Sequence, residues 1–239
     1  MRELLLPSLV NSQYAYRAVL ADTLGGPAGS WLELGCGHDL LPPWMDHNKE
    51  ALPTGRWRII GVDLDRGALL RHRGLAFRVH GNIERLSFRS AVFDLVTANM
   101  VLEHVEQPYE LFAEVARVLK PGGRFIVHTP NARGYTTLAA RLVPNAWLAG
   151  VANVLLDREQ SDLYRTYYRA NTGAALDALS RHGRLILEEI NYVPSSPQLI
   201  RVPPLMAAEV ALARILAMPR LAHLRACIVA VFRKPATVN

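Results

Sequence analysis

Short runs of β-branched and aliphatic residues alternate with longer stretches of helical periodicity over the first two-thirds of the chain. This alternation predicts strands at 30–34, 58–62, 76–80, 93–98 and 124–128, with helices at 11–24, 65–73 and 108–119. Alternating strands and helices indicate a parallel sheet, because a crossover helix returns the chain to the start of the next strand. The sequence therefore predicts an α/β fold.

The pattern changes after Pro130. Residues 131–170 are rich in Tyr, Arg and Asn and show no strand pattern. A connection of this length usually carries function, such as a lid or a substrate-binding segment. The alternation then resumes with a helix at 172–181, a strand at 185–190, a helix at 205–218 and a last strand at 227–232. We expect one domain over 1–239, with inserted segments at about 131–170 and 193–226.

Composition excludes several classes of protein. The 239 residues are 50% hydrophobic and 20% charged, which provides enough apolar surface for a folded core. No uncharged apolar run approaches the roughly 18 residues of a membrane span, and we expect no secretory signal. Cys36 and Cys227 lie too far apart in sequence to predict a disulfide framework or a metal site. We therefore expect a reducing, cytoplasmic location.

The net charge of +6 raises nucleic acid as a partner. However, only three of the 27 basic residues are lysines, and the arginines are scattered without a block of five like charges. Nucleic acid is therefore not the expected partner.

The strongest local signal is a predicted strand that runs through Glu33 into the Gly-x-Gly turn of Gly35 and Gly37. Glycines at such a turn allow a ligand to approach the main chain closely. Asp63 ends the second predicted strand, where a carboxylate can accept hydrogen bonds from both hydroxyls of a ribose. Asp65 is expected to cap the next helix, which leaves Asp63 facing the ligand.

Two cofactor classes share this arrangement, dinucleotides and S-adenosylmethionine. A dinucleotide site needs a third glycine so that the helix can present its N-terminus to a pyrophosphate, and position 40 is Leu. The Glu33 carboxylate would also repel a pyrophosphate, whereas a sulfonium-bearing amino acid could be tolerated there. The residues favour S-adenosylmethionine and leave NAD as an alternative.

Residues 33–130 resemble the class I S-adenosylmethionine-dependent methyltransferases, in particular the small-molecule branch that includes the ubiquinone and menaquinone C-methyltransferases. The matching motifs lie at 33–37, 61–65, 81–88, 93–99, 101–105 and 116–125, and a bacterial subgroup also shares 128–131 and 167–172. The resemblance implies a Rossmann-like sheet of seven strands in the order 3-2-1-4-5-7-6. That sheet is mostly parallel, with helices on both faces and an antiparallel last strand.

The resemblance also implies the cofactor-binding residues, which are Glu33, Gly35, Cys36, Gly37, Asp63, Leu64, Asn82, Ile83, Asn99 and Met100. Glu33 and the two glycines would line the amino-acid half of the cofactor, and Asp63 would hold the ribose. Ile83 would pack on the adenine. Two departures stand out: Asn82 occupies a position where the family usually has Asp, and His38-Asp39 replaces a glycine-rich continuation.

Methyl transfer from a sulfonium mainly requires alignment of nucleophile, methyl and sulfur, and it needs a base only where the acceptor loses a proton. His128, at the end of the fifth predicted strand, and His104, after the fourth, are the candidate bases. A structural role is the alternative for each. We expect the segment after Pro130 to contact the acceptor. The alternative is that its tyrosines only pack a lid. The candidate contact residues are Asn131, Tyr135, Tyr164, Tyr168 and Arg169.

The acceptor class follows from what the motifs lack. Residues 97–100 do not form the Asn/Asp-Pro-Pro-aromatic run of adenine-N6 enzymes, and neither cysteine lies in the Pro-Cys context of cytosine-C5 enzymes. No His, Asp or Glu cluster has metal-ligand spacing, so no metal is expected. The leading function is methyl transfer to O, N or C of a small organic acceptor. The alternatives are a cofactor-binding homologue without methyl transfer and an NAD-dependent oxidoreductase.

Residues 204–218 predict a helix that is apolar nearly all round, interrupted only by Glu209 and Arg214. Such a helix should be buried on most sides. The first interpretation is a cover over the acceptor pocket, followed by a homodimer contact. Peripheral docking on a membrane, helped by Arg220 and Arg225, is the least favoured.

Overall fold

The computed structural model of the protein describes residues 11–41, 45, 52–72, 74–142, 164–195 and 203–236. Within these ranges the strands are β1 Gly29–Leu34, β2 Trp57–Asp63, β3 Phe77–His80, β4 Phe93–Asn99, β5 Leu119–Pro130, β6 Ile186–Val193 and β7 Cys227–Arg233. The α-helices are α1 Ser12–Leu24, α2 Arg66–Arg71, α3 Pro108–Val118, α4 Tyr135–Leu142, α5 Gly173–His182 and α6 Pro203–Leu216.

The strands of the described ranges form one sheet in the order β3-β2-β1-β4-β5-β7-β6. Neighbouring strands from β3 to β5 pair in parallel, whereas β7 pairs antiparallel with both β5 and β6. The predicted fold class and strand order are confirmed. From β1 the chain adds strands towards one edge of the sheet, and from β4 it adds them towards the other edge. Open α/β sheets bind ligands at the position between two such strands.

The core has two layers because successive residues of the central strands point to opposite faces of the sheet. On one face, α1 packs Tyr16, Leu20 and Leu24 against Trp31 and Ile126. On the other face, α3 begins at Pro108 and buries residues at helical spacing, namely Leu111, Phe112, Val115 and Val118. The Phe112 ring meets Phe125 and Phe232 edge-on, at centroid distances of 5.5 and 5.4 Å.

The start of the fifth predicted strand shifts in the structure. Residues 120–123, which lie between the predicted helix and the fifth predicted strand, belong to β5, because Leu119 already pairs with Phe93 ahead of an irregularity in register. His104 ends a 3₁₀ turn over Leu102–His104, and α3 begins four residues later at Pro108, as predicted. Parts of both predicted insertions, 143–163 and 196–202, lie outside the described residues.

The helix predicted at 204–218 is present as α6, but the expectation that it is buried on most sides is wrong. Only one side of α6 is buried, and that side carries Glu209, Ala213 and Leu216. The apolar side chains of Leu212 and Ile215 are 39 and 50% exposed. Among the described elements, the helix packs mainly on the 3₁₀ segment Pro219–Leu224, and the face that carries Leu212 and Ile215 is exposed. Within the described ranges, no helix combines the length and hydropathy required to span a membrane.

Candidate cofactor and acceptor site

The loop after β1 approaches the site through its main chain. Gly35 and Gly37 have φ angles of +60° and +53°, a backbone region that favours glycine. A Cβ atom on Gly35 would lie 2.5 Å from a methyl group of Val101, whereas one on Gly37 would meet nothing within 4 Å. Gly35 is therefore required for packing, and Gly37 leaves open space beside the loop.

The carboxylate of Asp63 is fixed at the end of β2 by two backbone amides. Gly37 donates its N–H to Oδ2 and Asp65 donates its N–H to Oδ1, each at 2.8 Å. A carboxylate has about four acceptor positions, so about two remain for the hydroxyls of a bound molecule. Asp65 caps α2 by accepting from Gly67 and Ala68, which confirms its expected role.

An apolar surface lies next to Asp63. Leu64 is 61% exposed, and Ile83 packs its inner side on the core. Asn82 is exposed and uses its side-chain oxygen to accept from the N–H of Glu84, which leaves its amide hydrogens available. A flat ring with edge acceptors, such as adenine, suits these three residues.

The Glu33 carboxyl group points into the interior rather than towards the loop. It is 2% exposed and accepts a hydrogen bond from Thr97, whose oxygen in turn accepts from the indole N–H of Trp31. Burial removes water from the Glu33 carboxylate and raises its pKa to about 8. Among its described contacts, no cation offsets this loss of hydration. Its position supports the end of β1 from within the sheet.

The Cys36 side chain also faces the interior. Its thiol packs with Leu69 and Leu75, and burial raises its pKa to about 12. The side chain of Cys36, predicted among the cofactor-binding residues, thus contacts α2 and the β2–β3 region. Only the main chain of Cys36 is available to contact a cofactor at the surface of the loop.

At the end of β4, Asn99 and Met100 form a second part of the site. The Asn99 amide group donates to the side chain of Gln13 at 3.1 Å, and its oxygen lies 2.8 Å from Nδ1 of His128. Met100 is 38% exposed and has a φ angle of +57°, an uncommon conformation for a residue with a side chain. Such positions often occur where a site constrains the backbone.

The two candidate bases differ sharply in accessibility. The His128 ring is 0% exposed, and burial lowers its pKa to about 3. The His104 side chain is 31% exposed, with Nε2 4.0 Å from a carboxylate oxygen of Glu103. Of the two candidate bases, the partly exposed His104 is therefore accessible to an acceptor, whereas the ring of His128 is enclosed.

Residues 164–172, here called the strap, cross the carboxyl edge of the sheet. At one end the Tyr164 hydroxyl donates to Asp65 at 3.2 Å, and the ring contacts His104. In the middle, the N–H groups of Tyr167 and Tyr168 donate to the Glu103 carbonyl at 2.7 and 3.3 Å. The strap therefore extends from the end of β2 past the end of β4.

The remaining part of the strap returns to β5. Arg169 is exposed and donates to the carbonyl of Glu106, and buried Asn171 donates to Thr129 at 2.6 Å. Of the predicted acceptor-contact residues, the strap brings Tyr164 and Tyr168 to the edge occupied by His104. The Arg169 guanidinium is held on the outer surface.

The other two predicted acceptor-contact residues lie on the β5–β7 side. Asn131 is 1% exposed and uses both its amide group and its oxygen to join the loop after β5 to residues 223–225 and Arg133. Tyr135 donates to Glu209 of α6 at 3.2 Å and borders a cavity of about 200 Å³. Pro194, Ala213, Arg214, Leu216, Ala217 and Arg225 complete the lining.

Sequence reasoning missed Gln13, Tyr16 and Thr97. Gln13 and Tyr16 come from α1, far from the motifs in sequence, and Thr97 lies inside β4. The contacts of Gln13 with Asn99 and of Tyr16 with His128 depend on packing of α1 across the sheet. The contact of Thr97 with Glu33 depends on the pairing of β4 with β1. Nothing in the local sequence signals either arrangement.

The residues of this site suit S-adenosylmethionine better than a metal ion. The open face at Gly37, the remaining acceptor positions of Asp63 and the exposed Leu64 suit a ribose flanked by an amino acid and a flat base. In the described ranges, no group of three His, Cys, Asp or Glu side chains is arranged to hold a metal ion.

Comparison with known proteins agrees with this geometry. Residues 32–127 match the family described as Methyltransferase domain. Ubiquinone biosynthesis O-methyltransferase of Xylella fastidiosa is 29% identical over 174 residues, which cover 70% of this chain and 64% of that protein. The chain spans about a third of the length of three other curated relatives that it matches, at 37, 35 and 35%.

Solved structures share the fold at low identity. Geranyl diphosphate C-methyltransferase from Streptomyces coelicolor A3(2), solved with S-adenosyl-L-homocysteine, has a TM-score of 0.55 and 17% identity, covering 93% of this chain and 80% of that one. The [4+2]-cyclase SpnF has a TM-score of 0.54 and 18% identity, covering 95% and 82%. Residues 32–127 match the methyltransferase domain family, and the chain shares its fold with solved S-adenosylmethionine-dependent methyltransferases.

Proposed function

We propose that the chain transfers a methyl group from S-adenosylmethionine to O, N or C of a small organic acceptor. The observation that carries this proposal is the fixed Asp63 carboxylate, which keeps acceptor positions free beside the open face of Gly37. The match of residues 32–127 to the methyltransferase domain family supports it.

Different residues would contact the ribose, the amino-acid half and the adenine of the cofactor. Asp63 accepts from the two ribose hydroxyls, and the main chain at Gly35 and Gly37 borders the amino-acid half. Leu64 and Ile83 enclose the adenine, while Asn82 donates to its edge. When bound, S-adenosylmethionine supplies an electrophilic methyl group: a lone pair of the acceptor forms a bond to the methyl carbon while the carbon–sulfur electron pair goes to sulfur.

Alignment and exclusion of water are the main tasks of the protein in such a displacement, and orientation alone can contribute roughly 7–11 kcal/mol. Asn99 and Met100 lie at the end of β4, beside β1, where the strand order switches direction. Cofactor and acceptor would meet at this position. The strap would cover them from the solvent side, with Tyr164 and Tyr168 contacting the acceptor. Where the acceptor loses a proton, His104 is the base that the geometry supports best.

The cavity beside Tyr135 would take the body of an acceptor that extends away from the methyl group. Its walls are largely apolar, and Arg214 and Arg225 also line it. The Arg225 guanidinium already donates to the carbonyls of Leu216, Tyr192 and Ala217. A largely apolar organic molecule therefore suits this space better than a nucleic acid.

The alternative is a protein that binds S-adenosylmethionine without transferring its methyl group. The likeness to a [4+2]-cyclase favours keeping this alternative, because the same fold occurs in a protein named for another reaction. The two functions differ in whether the methyl group leaves the cofactor.

Incubation of the protein with methyl-deuterated S-adenosylmethionine and a bacterial metabolite extract tests the proposal. Mass spectrometry should find a product that carries the deuterated methyl group, together with stoichiometric S-adenosylhomocysteine. Tight cofactor binding without either product would support the alternative. Asp63→Ala, which is expected to bind the cofactor poorly, provides the matched blank for contaminating activity.

A further inference from the structure

His128 is the enclosed histidine that the proposed reaction does not use. It lies near the carboxyl end of β5, directly opposite Asn99 of β4 in the parallel register. Its Nδ1 atom is 2.8 Å from Oδ1 of Asn99, and the Asn99 amide group continues to Gln13 at 3.1 Å. Three elements, α1, β4 and β5, thus meet in one chain of hydrogen bonds.

The partner atoms determine which ring nitrogen of His128 carries the proton. The Asn99 oxygen only accepts hydrogen bonds, so Nδ1–H is the donor. Nε2 then carries a lone pair, and it is buried without a hydrogen-bond partner. The opposite tautomer would bury an unpaired N–H group, which costs more than an unpaired acceptor.

The backbone of His128 makes a second contact with the end of β4. Its carbonyl accepts the N–H of Met100 at 2.7 Å, and Met100 is the residue with a φ angle of +57°. One residue of β5 therefore holds the side chain of Asn99 and the main chain of Met100. A constrained backbone of this kind persists only where surrounding contacts fix it.

The Tyr16 ring supports His128 from α1. The two rings stack with centroids 5.5 Å apart and planes inclined by 20°, and both side chains are fully buried. The ring of His128 is enclosed on this side by Tyr16 and at Nδ1 by Asn99, so rotation would break the contact with Asn99.

We propose that His128 is a positioning residue that acts through Asn99 and Met100. It holds the Asn99 amide group so that one N–H donates to Gln13 and the other remains for an oxygen of the bound cofactor or acceptor. This inference rests on the proposed function, because it assumes that the end of β4 faces the bound molecules. His128 itself exchanges no proton with the acceptor.

His128→Asn and His128→Leu form a matched pair of variants. Asn keeps an N–H donor near the position of Nδ1, whereas Leu has similar bulk and no donor. With S-adenosylhomocysteine as the calorimetric probe, we expect His128→Leu and Asn99→Ala each to bind about tenfold more weakly, the size of one lost hydrogen bond at the strong end. The double variant should be no weaker than the weaker single variant, and His128→Asn should stay within about threefold of the unmodified protein.

If His128→Leu fails to fold, the comparison of His128→Asn with Asn99→Ala carries the test. Nitrogen NMR of the labelled, unmodified protein adds a readout of the ring: Nδ1 should be protonated, Nε2 unprotonated, and neither should titrate between about pH 5 and 8. A protonated Nε2, or affinity that is equally reduced in His128→Asn and Asn99→Ala, would overturn the inference. Unmodified protein that does not bind S-adenosylhomocysteine would instead overturn the proposed function, while the NMR spectrum would still report on the His128–Asn99 pair.

Discussion

The backbone N–H of Gly37 donates to the Asp63 carboxylate at 2.8 Å, which joins the loop after β1 to the end of β2. The two residues lie 26 positions apart in sequence. This bond links the shape of the glycine loop to the orientation of the carboxylate, so the two parts of the cofactor site depend on each other.

Asp63→Ala should therefore weaken cofactor binding for two reasons. It removes the acceptor for the ribose hydroxyls and releases the N–H of Gly37. Hydrogen bonds to a charged group contribute about 1.5–3 kcal/mol each, so affinity for S-adenosylhomocysteine should fall at least tenfold. Calorimetry measures the affinity, and Asp39→Ala, an exposed carboxylate in the same loop, is the control. An unchanged dissociation constant for Asp63→Ala would remove Asp63 from the site.

Gly35→Ala and Gly37→Ala should separate packing from ligand contact. Both substitutions place a side chain at positive φ, which costs roughly 1–2 kcal/mol. Only Gly35→Ala also forces a Cβ atom to 2.5 Å from Val101, so urea unfolding should show a larger loss of stability for this variant. Equal unfolding free energies for the two variants would contradict the close approach of Val101 to the loop.

Glu33→Gln should change how stability depends on pH. The pKa of Glu33 is raised from 4.5 to about 8 in the folded protein, so the folded state holds a proton that the unfolded state has lost between these values. The stabilisation from this proton is complete below about pH 4.5 and is lost as the pH rises through about 8.

Melting temperatures of the two proteins across this interval provide the measurement. Glu33→Gln should show a weaker decline with rising pH, since Gln has no proton to release. Parallel curves for the two proteins would show that Glu33 does not hold a raised pKa.

The double substitution Leu212→Asp with Ile215→Asp should leave the protein folded. Both side chains lie on the open face of α6, and surface substitutions usually change stability by about 0.5 kcal/mol or less. Ala213→Asp, on the buried face of the same helix, should be strongly destabilising. Circular dichroism with thermal melts compares the two. Unfolding of the double variant would show that Leu212 and Ile215 are buried, as the composition of α6 predicts.

The sequence predicted most of the fold because strand periodicity and the glycine loop are local signals. The ends of β1, β2 and β4 lie within one residue of their predicted positions. The last strand inserts between β5 and β6, as the resemblance to the methyltransferases implied. Asp65 caps α2 as predicted, since an N-cap depends only on the next few residues.

Side-chain direction and burial were harder to predict. Glu33 and Cys36 belong to the glycine-loop motif, yet their side chains face the interior, because alternation along β1 and packing of α2 decide their orientation. His128 looked like a base at the end of a strand, but α1 folds over it. On α6, composition indicated burial on most sides, whereas only the face with Glu209, Ala213 and Leu216 packs inward and Leu212 and Ile215 are exposed.

Calorimetric titration of the unmodified protein with S-adenosylhomocysteine, and separately with NADH, tests the central claim most directly. Asp63 at the end of β2 is compatible with a ribose from either molecule, but Leu40 stands where a dinucleotide site needs glycine. We predict saturable binding of S-adenosylhomocysteine with one site per chain and no heat of binding for NADH. Binding of NADH, or no binding of S-adenosylhomocysteine below about millimolar concentration, would contradict the account.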